Sequence, residues 1–297
     1  MTIHSIIHSM RLRTLPLSLA GVILGLCLAA ADADVPISVI IFTLLTTVSL
    51  QILANLSNEL GDYLHGTDNE QRQGPQYSLQ LGTLSVSDFK CLIAIMVALC
   101  CIFGTCLIYC SYHTLWGVQP ILFFLLGCAA IWAAMHYTLG RSPYGYRGLG
   151  DLFVFLFFGL CSVAGTYFIA THTIAWYIFL AATAIGFFSV AVLNVNNIRD
   201  MQTDKSTRTT IPLRIGEKRA KIYQISLIFV GWCCIITLLI VQNYSLWTWT
   251  CLLTLPLYSK HLIGVWRHTD RALDPMLPLL VMTTFLFSLM LGIGLCL

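Results

Sequence analysis

Residues 91–110 read CLIAIMVALCCIFGTCLIYC, twenty residues without a charged side chain. A helix of this length is about 30 Å long, which matches the hydrocarbon core of a bilayer. The rest of the chain has the same character, because 58% of its 297 residues are hydrophobic and only 10% are charged. Soluble domains carry about 25% charged residues. The stretch therefore predicts a membrane span, and the composition predicts a protein with many such spans.

Apolar runs of similar length recur along the whole chain. A backbone in lipid must satisfy its own hydrogen bonds, and no stretch alternates like a barrel strand, so we predict an all-α fold. The eighth run is the weakest, because Pro256 and Lys260 interrupt it. Hydropathy predicts nine transmembrane helices near 15–33, 37–57, 89–110, 119–139, 151–171, 174–196, 222–242, 246–263 and 275–296.

The distribution of positive charge predicts the orientation. If the N-terminus is cytoplasmic, all 16 Lys and Arg residues fall in or beside cytoplasmic segments. Since cytoplasmic loops are enriched in these residues, we predict N-in, C-out and an odd number of spans in the cell (inner, cytoplasmic) membrane. Cleavage of a signal peptide within residues 1–34 would leave the remaining topology unchanged. The net charge of +3 thus reflects orientation, and we expect no nucleic acid partner.

Two polar clusters lie at the predicted cytoplasmic ends of the second and sixth spans. Their Asn and Asp residues recur at spacings of three and four, so each cluster forms a stripe on one helix face. The stripes are Asn55, Asn58 and Asp62 in the first cluster, and Asn196, Asp200 and Asp204 in the second. Solvated helix ends are the simpler interpretation. The same Asn-x-x-x-Asp core in both clusters favours a binding site, since carboxylates at a membrane boundary are costly unless they are paired.

Stripes of carboxylate and amide oxygens suit a hard divalent cation. Mg²⁺ takes oxygen ligands and commonly joins protein carboxylates to substrate phosphates. Basic residues beside both stripes would help to neutralise a diphosphate, although each also serves orientation. These residues are Arg72, Arg199, Lys205, Arg208 and Arg214. We therefore predict Mg²⁺ as the cofactor and a diphosphate as its ligand, with Asn55 and Asn58 among the groups that bind the diphosphate.

A third polar segment, from Tyr137 to Asp151, follows the fourth span and is rich in Gly, Tyr and Arg. An aromatic face can stabilise a developing cation, and an Arg can hold an anion. Tyr144 and Tyr146 are therefore catalytic candidates. Asp151 opens the fifth span, where it either caps the helix or acts on the substrate as an orienting group or proton acceptor.

At these residues the sequence resembles the UbiA superfamily of intramembrane aromatic prenyltransferases. The resemblance covers nearly the whole chain, including 13–16, both Asn/Asp motifs and 213–216. The stretch 144–151, YGYRGLGD, is similar to the branch that prenylates 1,4-dihydroxy-2-naphthoate in the menaquinone pathway. The first motif of the family usually reads Asn-Asp-Tyr-x-Asp, and here Glu59 and Leu60 replace its Asp and Tyr.

The resemblance implies a nine-helix bundle around a cytoplasm-facing cavity with a lateral opening for an isoprenoid tail. It implies transfer from a polyprenyl diphosphate to 1,4-dihydroxy-2-naphthoate with loss of CO₂, which gives demethylmenaquinone. By position, Tyr137 and Arg141 resemble residues near the allylic donor. The implied Mg²⁺-diphosphate ligands are Asp62, Asp68, Asp200 and Asp204, with Asn58 and Asn196 or Asn197. Beyond the lipid bilayer, no obligate protein partner is inferred.

Two alternatives stay open. The first is the same chemistry on another phenolic acceptor, such as 4-hydroxybenzoate, against which only the Tyr/Gly stretch argues. A transporter would place carboxylates near mid-membrane, often in two repeated halves. The paired motifs do suggest a pseudo-repeat of 1–140 and 151–270, yet no acidic residue falls near the middle of a predicted span. We therefore favour an enzyme formed by one transmembrane domain, 1–297.

Overall fold

The computed structural model describes residues 3–67, 77–205 and 207–297. Within these ranges the chain is helical and contains no β-strand, so the predicted all-α fold is confirmed. Extended pairing among the described residues is limited to one bridge between Arg147 and Thr209. Eight helical segments in these ranges are long and apolar enough to cross a membrane.

The helices follow the predicted apolar runs, because helical hydrogen bonding satisfies the backbone within each run. A π-helical stretch (Phe155–Gly165) joins α6 to α7, and a 3₁₀ helix (Leu246–Thr254) leads into α12. The α-helices are α1 (Ile3–Met10), α2 (Leu15–Asp32), α3 (Ile37–Leu64), α4 (Val86–Tyr112), α5 (Val118–His136), α6 (Gly150–Val154), α7 (Thr166–Thr171), α8 (Ile178–Arg199), α9 (Met201–Asp204), α10 (Ile211–Ile215), α11 (Glu217–Gln242), α12 (Leu255–Arg267) and α13 (Met276–Cys296).

The region predicted as the eighth span differs from the others. It forms the 3₁₀ helix followed directly by α12, with Pro256 in the first turn of α12. Proline lacks an N–H and is tolerated in a first turn but not in a helix interior, which explains the change of helix type there. Neither piece alone reaches the length of a span, so eight helices among the described residues qualify where hydropathy predicted nine.

The helix that carries the first polar stripe is longer than its apolar run. Hydropathy placed its end near residue 57, but α3 continues without interruption to Leu64. Asn55, Asn58 and Asp62 therefore lie on one helix, as their spacing predicted.

The second stripe is not on one continuous helix. The helix α8 ends at Arg199, and Asp200 adopts φ −91° and ψ 7° before α9 begins. The backbone N–H of Asp204 still bonds to the Asp200 carbonyl at 2.9 Å. The predicted stripe is therefore divided at Asp200 between two consecutive helices.

Four apolar clusters among the described residues hold the bundle together, and two of them are large. The larger lies among α2, α8, α11 and α13 and includes Phe188 and Phe287. The smaller lies between α3 and α4 and includes Leu56 and Phe89. Helices in a bilayer associate largely through close packing, which favours small residues at their contacts. Consistent with this, a Cβ on Gly159 of the π-helical stretch would lie 2.6 Å from the Cα of Gly186 on α8.

Candidate active site

A cavity of about 510 Å³ lies among α2, α3, α4, α5, the π-helical stretch and α8. Its wall is mostly apolar, and most of its ionisable and amide side chains cluster at one end. The lining residues Thr43 and Asp62 stand about 28 Å apart along α3, so the cavity runs nearly the length of a membrane helix. This shape suits a long apolar ligand with one charged end. The polar end is lined by Arg11, Asn58, Asp62, Tyr77, Tyr137, Tyr144, Asn196, Asn197, Asp200 and Arg208.

The first motif supplies Asn58 and Asp62 from the last turns of α3. The Tyr146 hydroxyl donates to Asp62 Oδ1 at 2.8 Å and also lies 3.1 Å from the Thr67 hydroxyl. The Thr138 hydroxyl lies 3.3 Å from Asn58 Oδ1. Both motif side chains are thus oriented by the segment that follows α5. They keep acceptor capacity for a ligand, since a carboxylate offers about four lone-pair sites.

Asn55, predicted to bind diphosphate, takes a different place. Its amide donates to the Met10 carbonyl and to the Thr14 hydroxyl, each at 2.9 Å, and its side chain is buried. It does not line the cavity. The Asn55 amide therefore secures the chain that enters α2.

The second motif is organised by Arg199. Its guanidinium donates to both oxygens of Asp200, at 2.8 and 2.7 Å, and to Asn196 Oδ1 at 2.9 Å. A further bond of 3.0 Å reaches Asp274. A bidentate, charge-assisted pair of this kind fixes a carboxylate in direction as well as position. Arg199, predicted to bind diphosphate, is absent from the cavity wall and instead orients Asp200 and Asn196.

Asp204 and Arg208 form a second ion pair at the polar end. Arg208 Nε donates to Asp204 Oδ1 at 2.8 Å, whereas Asp204 Oδ2 is buried and has no partner among the described residues. Burial raises the pKa of Asp204 to about 6, although Arg208 opposes this rise. Burial also disfavours the charge of Arg208, but the carboxylates of Asp62 and Asp204 raise its pKa above the usual range. Arg208 therefore brings a permanent positive charge to the cavity.

The segment after α5 closes the polar end. Tyr137 and Tyr144 line the cavity, and burial raises the pKa of Tyr137 to about 12, so its hydroxyl is a donor at neutral pH. A Cβ on Gly61 of α3 would lie 2.4 Å from the Thr138 hydroxyl oxygen, so only glycine allows this close approach. The Thr209 N–H donates to the Tyr146 carbonyl at 2.9 Å. The segment is thereby joined to both motifs.

The structure places several predicted residues away from the cavity wall. Arg141 is exposed in its loop. The Asp151 carboxylate accepts a hydrogen bond of 3.0 Å from the Tyr223 hydroxyl on α11. Lys205 is exposed and donates to Gln202 at 3.0 Å. Asp68 and Arg72 lie outside the described residues.

Arg11 and Tyr77 are cavity residues that the sequence motifs did not reveal. The Arg11 guanidinium carbon lies 3.6 Å from the centroid of the Tyr77 ring. Its Nε and Nη2 atoms are buried and make no hydrogen bond within the described chain. Arg11 was counted only as an orientation charge. Its position just before the Arg-Thr-Leu-Pro stretch of the first span was the one available signal.

The polar end can hold a divalent cation with hard oxygen ligands. Within the described ranges, His, Cys, Asp and Glu side chains form no group of three that could hold a metal ion by themselves. An ion that keeps several waters and shares substrate phosphates does not need such a cage. The oxygens available at the cavity wall come from Asn58, Asp62, Asn196, Asn197 and Asp200.

Comparisons with known proteins identify the family and the fold of this chain. Residues 18–292 match the family model described as the UbiA prenyltransferase family. Over 290 residues the chain is 37% identical to a 1,4-dihydroxy-2-naphthoate octaprenyltransferase of Escherichia coli, covering 97% of this chain and 94% of that protein. The fold is similar to the apo structure of a UbiA homolog from Aeropyrum pernix, with a TM-score of 0.70, 16% identity and 97% of each chain covered. It is also similar to a UbiA homolog from Archaeoglobus fulgidus bound to GPP and Mg²⁺, with a TM-score of 0.65, 16% identity and coverage of 96% and 98%.

Proposed function

The chain belongs to the UbiA prenyltransferase family, and we propose that it transfers a polyprenyl group from an allylic polyprenyl diphosphate to 1,4-dihydroxy-2-naphthoate. The choice of acceptor is supported by the similar Escherichia coli protein, which is a 1,4-dihydroxy-2-naphthoate octaprenyltransferase. In this reaction the bond between the allylic carbon and the diphosphate breaks, and the ring carbon that bears the carboxylate forms the new C–C bond. Loss of CO₂ returns an electron pair to the ring. The product is demethylmenaquinone in its quinol form.

The observation that carries this proposal is the meeting of two polar helix ends at one end of an apolar cavity. Asn58 and Asp62 come from α3, and Asn196 and Asp200 come from the end of α8. A diphosphate fits the polar end, and an isoprenoid tail fits the remaining wall. Tight enclosure would exclude water, which otherwise competes with the acceptor for an allylic cation.

Mg²⁺ is the proposed cofactor, and its candidate ligands are Asp62, Asp200, Asn58 and Asn196 or Asn197. The GPP- and Mg²⁺-bound homolog supports this choice of ion. When bound, Mg²⁺ would withdraw charge from the diphosphate leaving group. Asp68 and Asp204 stay candidate ligands, and Asp204 is supported by its Oδ2 atom, which has no hydrogen-bond partner in the described part of the chain.

The cationic side chains divide into two roles. Arg11 and Arg208 line the cavity, and we assign them to the diphosphate. Arg199 holds Asp200 and Asn196 in place and is a positioning residue. Arg72 and Lys205 stay candidates for diphosphate binding, but Lys205 is exposed and bonded to Gln202.

Aromatic side chains provide the wall for the acceptor and the allylic group. The Tyr144 and Phe153 rings stack with centroids 3.9 Å apart, and Tyr137 meets Tyr144 edge to face at 5.4 Å. Ring faces stabilise a nearby cation by about 0.5–2 kcal/mol each, more when water is excluded. We therefore propose that Tyr137, Tyr144 and Phe153 contact the reacting groups, with Tyr146 acting through Asp62. Arg141 and Asp151 stay catalytic candidates that would have to act from outside the present cavity wall.

The proposed topology has nine spans, with the N-terminus and the polar end of the cavity on the cytoplasmic side of the cell membrane. The span beyond the eight that qualify by length would be the eighth in chain order, formed by the 3₁₀ helix and α12 together, which extend about 18 Å and about 20 Å. All positive charges then fall on one side, as hydropathy and charge predicted. We also propose one domain over 1–297 with a pseudo-repeat, because α3 and α8 end in corresponding motifs.

An assay with labelled polyprenyl diphosphate in isolated membranes tests the acceptor. Dihydroxynaphthoate and 4-hydroxybenzoate are offered separately, with a membrane sample carrying Asp62→Asn as the inactive control. We expect a prenylated naphthoquinol and release of CO₂ with the first acceptor alone. Prenylation of 4-hydroxybenzoate alone would overturn the choice of acceptor and leave the reaction class intact.

A further inference from the structure

Glu59 lies between the two polar residues of the first motif but faces away from the cavity. Its side chain is fully buried, and Glu59 is not among the residues that line the cavity. The Leu79 backbone N–H donates to Glu59 Oε1 at 3.2 Å, and the Ser9 hydroxyl lies 3.5 Å from the same oxygen. The Glu59 carboxylate therefore contacts other segments of the protein and does not line the cavity.

These bonds belong to a small network that joins three separate segments. The Ser9 hydroxyl donates to Ser78 Oγ at 2.8 Å, and the Ser78 hydroxyl donates to the Ser5 carbonyl at 3.2 Å. Ser5 and Ser9 belong to α1, Ser78 precedes Leu79 in a turn, and Glu59 belongs to α3. All three serines are buried. The N-terminal helix and this turn are thus fastened to the helix that carries Asn58 and Asp62.

The fastened segments carry the two cavity residues that the motifs missed. Arg11 follows Ser9 by two positions, and Tyr77 precedes Leu79 by two. Arg11 stands over the Tyr77 ring at 3.6 Å and has a left-handed backbone conformation, with φ 48°. The positive charge of Arg11 also acts on the Glu59 carboxylate. A shift of either segment would therefore move Arg11 Nε and Nη2, which have no hydrogen-bond partner among the described residues, relative to Asp62.

We infer that Glu59 is a positioning residue that holds Arg11 over Tyr77 and against the diphosphate, and that it is not a metal ligand. The inference rests on the proposed diphosphate site. An Asp at this position would be one methylene shorter and would reach the turn less well. The longer side chain of Glu59 thus allows its carboxylate to reach the turn and the N-terminal helix.

Equilibrium binding of geranyl diphosphate to the purified full-length protein, with saturating Mg²⁺ and without acceptor, tests the inference. We expect Glu59→Gln to raise the Kd about tenfold, because misplacement of one charged contact weakens binding by roughly this factor. Arg11→Gln should raise it similarly, and the double variant should bind no more weakly than Arg11→Gln alone. The Mg²⁺ concentration for half-maximal binding should stay within about twofold of wild type in Glu59→Gln. Glu217→Gln, an exposed carboxylate on α11, is the matched control and should bind like wild type.

If the increases in Kd from Glu59→Gln and Arg11→Gln are additive in free energy in the double variant, the inference is overturned. A general structural role of Glu59 predicts that the two substitutions act independently on binding. A tenfold or larger shift in the Mg²⁺ requirement would also overturn it and would make Glu59 a metal ligand. If Glu59→Gln does not accumulate in membranes, Ser78→Ala carries the same double-variant test, because Ser78 joins the turn to α1. If the wild-type protein does not bind geranyl diphosphate at all, the result would instead refute the proposed diphosphate site.

Discussion

Tyr146 donates a hydrogen bond of 2.8 Å to Asp62, which joins the Tyr/Gly-rich segment to the first Asn/Asp motif. The two residues are 84 positions apart in the sequence. Burial raises the pKa of Tyr146, so its hydroxyl stays a donor at physiological pH. The Arg208 guanidinium carbon lies 5.5 Å from the centroid of the Tyr146 ring. The Tyr/Gly-rich segment and the polar end of the cavity are therefore one connected unit.

Tyr146→Phe should lower kcat/KM about tenfold, because a hydrogen bond to a charged group contributes about 1.5–3 kcal/mol. Loss of the bond frees Asp62 to rotate but leaves the ring and its contact with Arg208. Steady-state prenyl transfer measures the effect. Tyr63→Phe, which removes an exposed hydroxyl next to Asp62, is the matched control and should have normal activity. Equal activity in the two variants would show that the Tyr146 hydroxyl does not contribute.

Arg199→Met should destabilise the protein by about 3–5 kcal/mol, because it leaves the buried Asp200 carboxylate without its partner. It should also raise the Mg²⁺ requirement about tenfold, as loss of a group that orients metal ligands commonly does. Thermal unfolding in detergent and Mg²⁺ titration of activity measure the two effects. Arg219→Met, at an exposed site on α11, is the control. A stable variant with an unchanged Mg²⁺ requirement would contradict the positioning role of Arg199.

Arg11→Gln should raise KM for the polyprenyl diphosphate about tenfold with little change in kcat, because it removes a contact made in both the ground and transition states. Arg13→Gln is the matched control, since Arg13 is exposed two positions away and carries the same orientation charge. Initial rates over a range of donor concentrations separate the two parameters. An equal change in both variants would indicate a charge effect at the membrane surface.

Gly61→Ala should cost about 1–3 kcal/mol and most of the activity, because the new methyl group overlaps Thr138 and displaces the adjoining Tyr137. The carbonyl carbon of Thr138 would lie only 2.7 Å from the added Cβ, so rotation of the side chain alone does not relieve the clash. Unfolding temperature and turnover are the readouts. In Gly104→Ala, where no heavy atom lies within 4 Å of the added Cβ, stability should be preserved. Normal activity of Gly61→Ala would contradict the close approach of α3 and the Tyr/Gly segment.

The sequence was sufficient to predict most of the membrane helices and to place Asn58 and Asp62 on one helix face, because lipid imposes helical hydrogen bonding and the two residues are four positions apart. It did not predict that the helix would end before Asp200, since polar residues continue past the end of α8 with the same spacing. For the eighth apolar run, hydropathy predicted only a weak span interrupted by Pro256, and not its division into a 3₁₀ helix and α12. Whether the run crosses the membrane stays a prediction.

The contacts of the charged side chains were harder to predict from the sequence than the helices. Arg199 and Arg208 look equivalent beside the second motif, but one contacts Asp200 and Asp274 and the other lines the cavity. Their roles depend on partners 75 residues away or on the far side of a turn. Arg11 was hidden for a different reason, because its charge was fully accounted for by membrane orientation.

The most direct test of the proposed function measures prenyl transfer by Asp62→Asn and Asp200→Asn, each with Mg²⁺ and with EDTA. Both substitutions preserve side-chain size. Asp62→Asn removes the carboxylate of the first motif, and Asp200→Asn removes that of the second. Membrane levels of each variant, compared with Glu217→Gln, control for insertion. We expect normal insertion, loss of turnover in both variants, and loss of wild-type turnover in EDTA. Near-normal turnover in either variant, or turnover of the wild-type protein without metal, would contradict the proposed metal site.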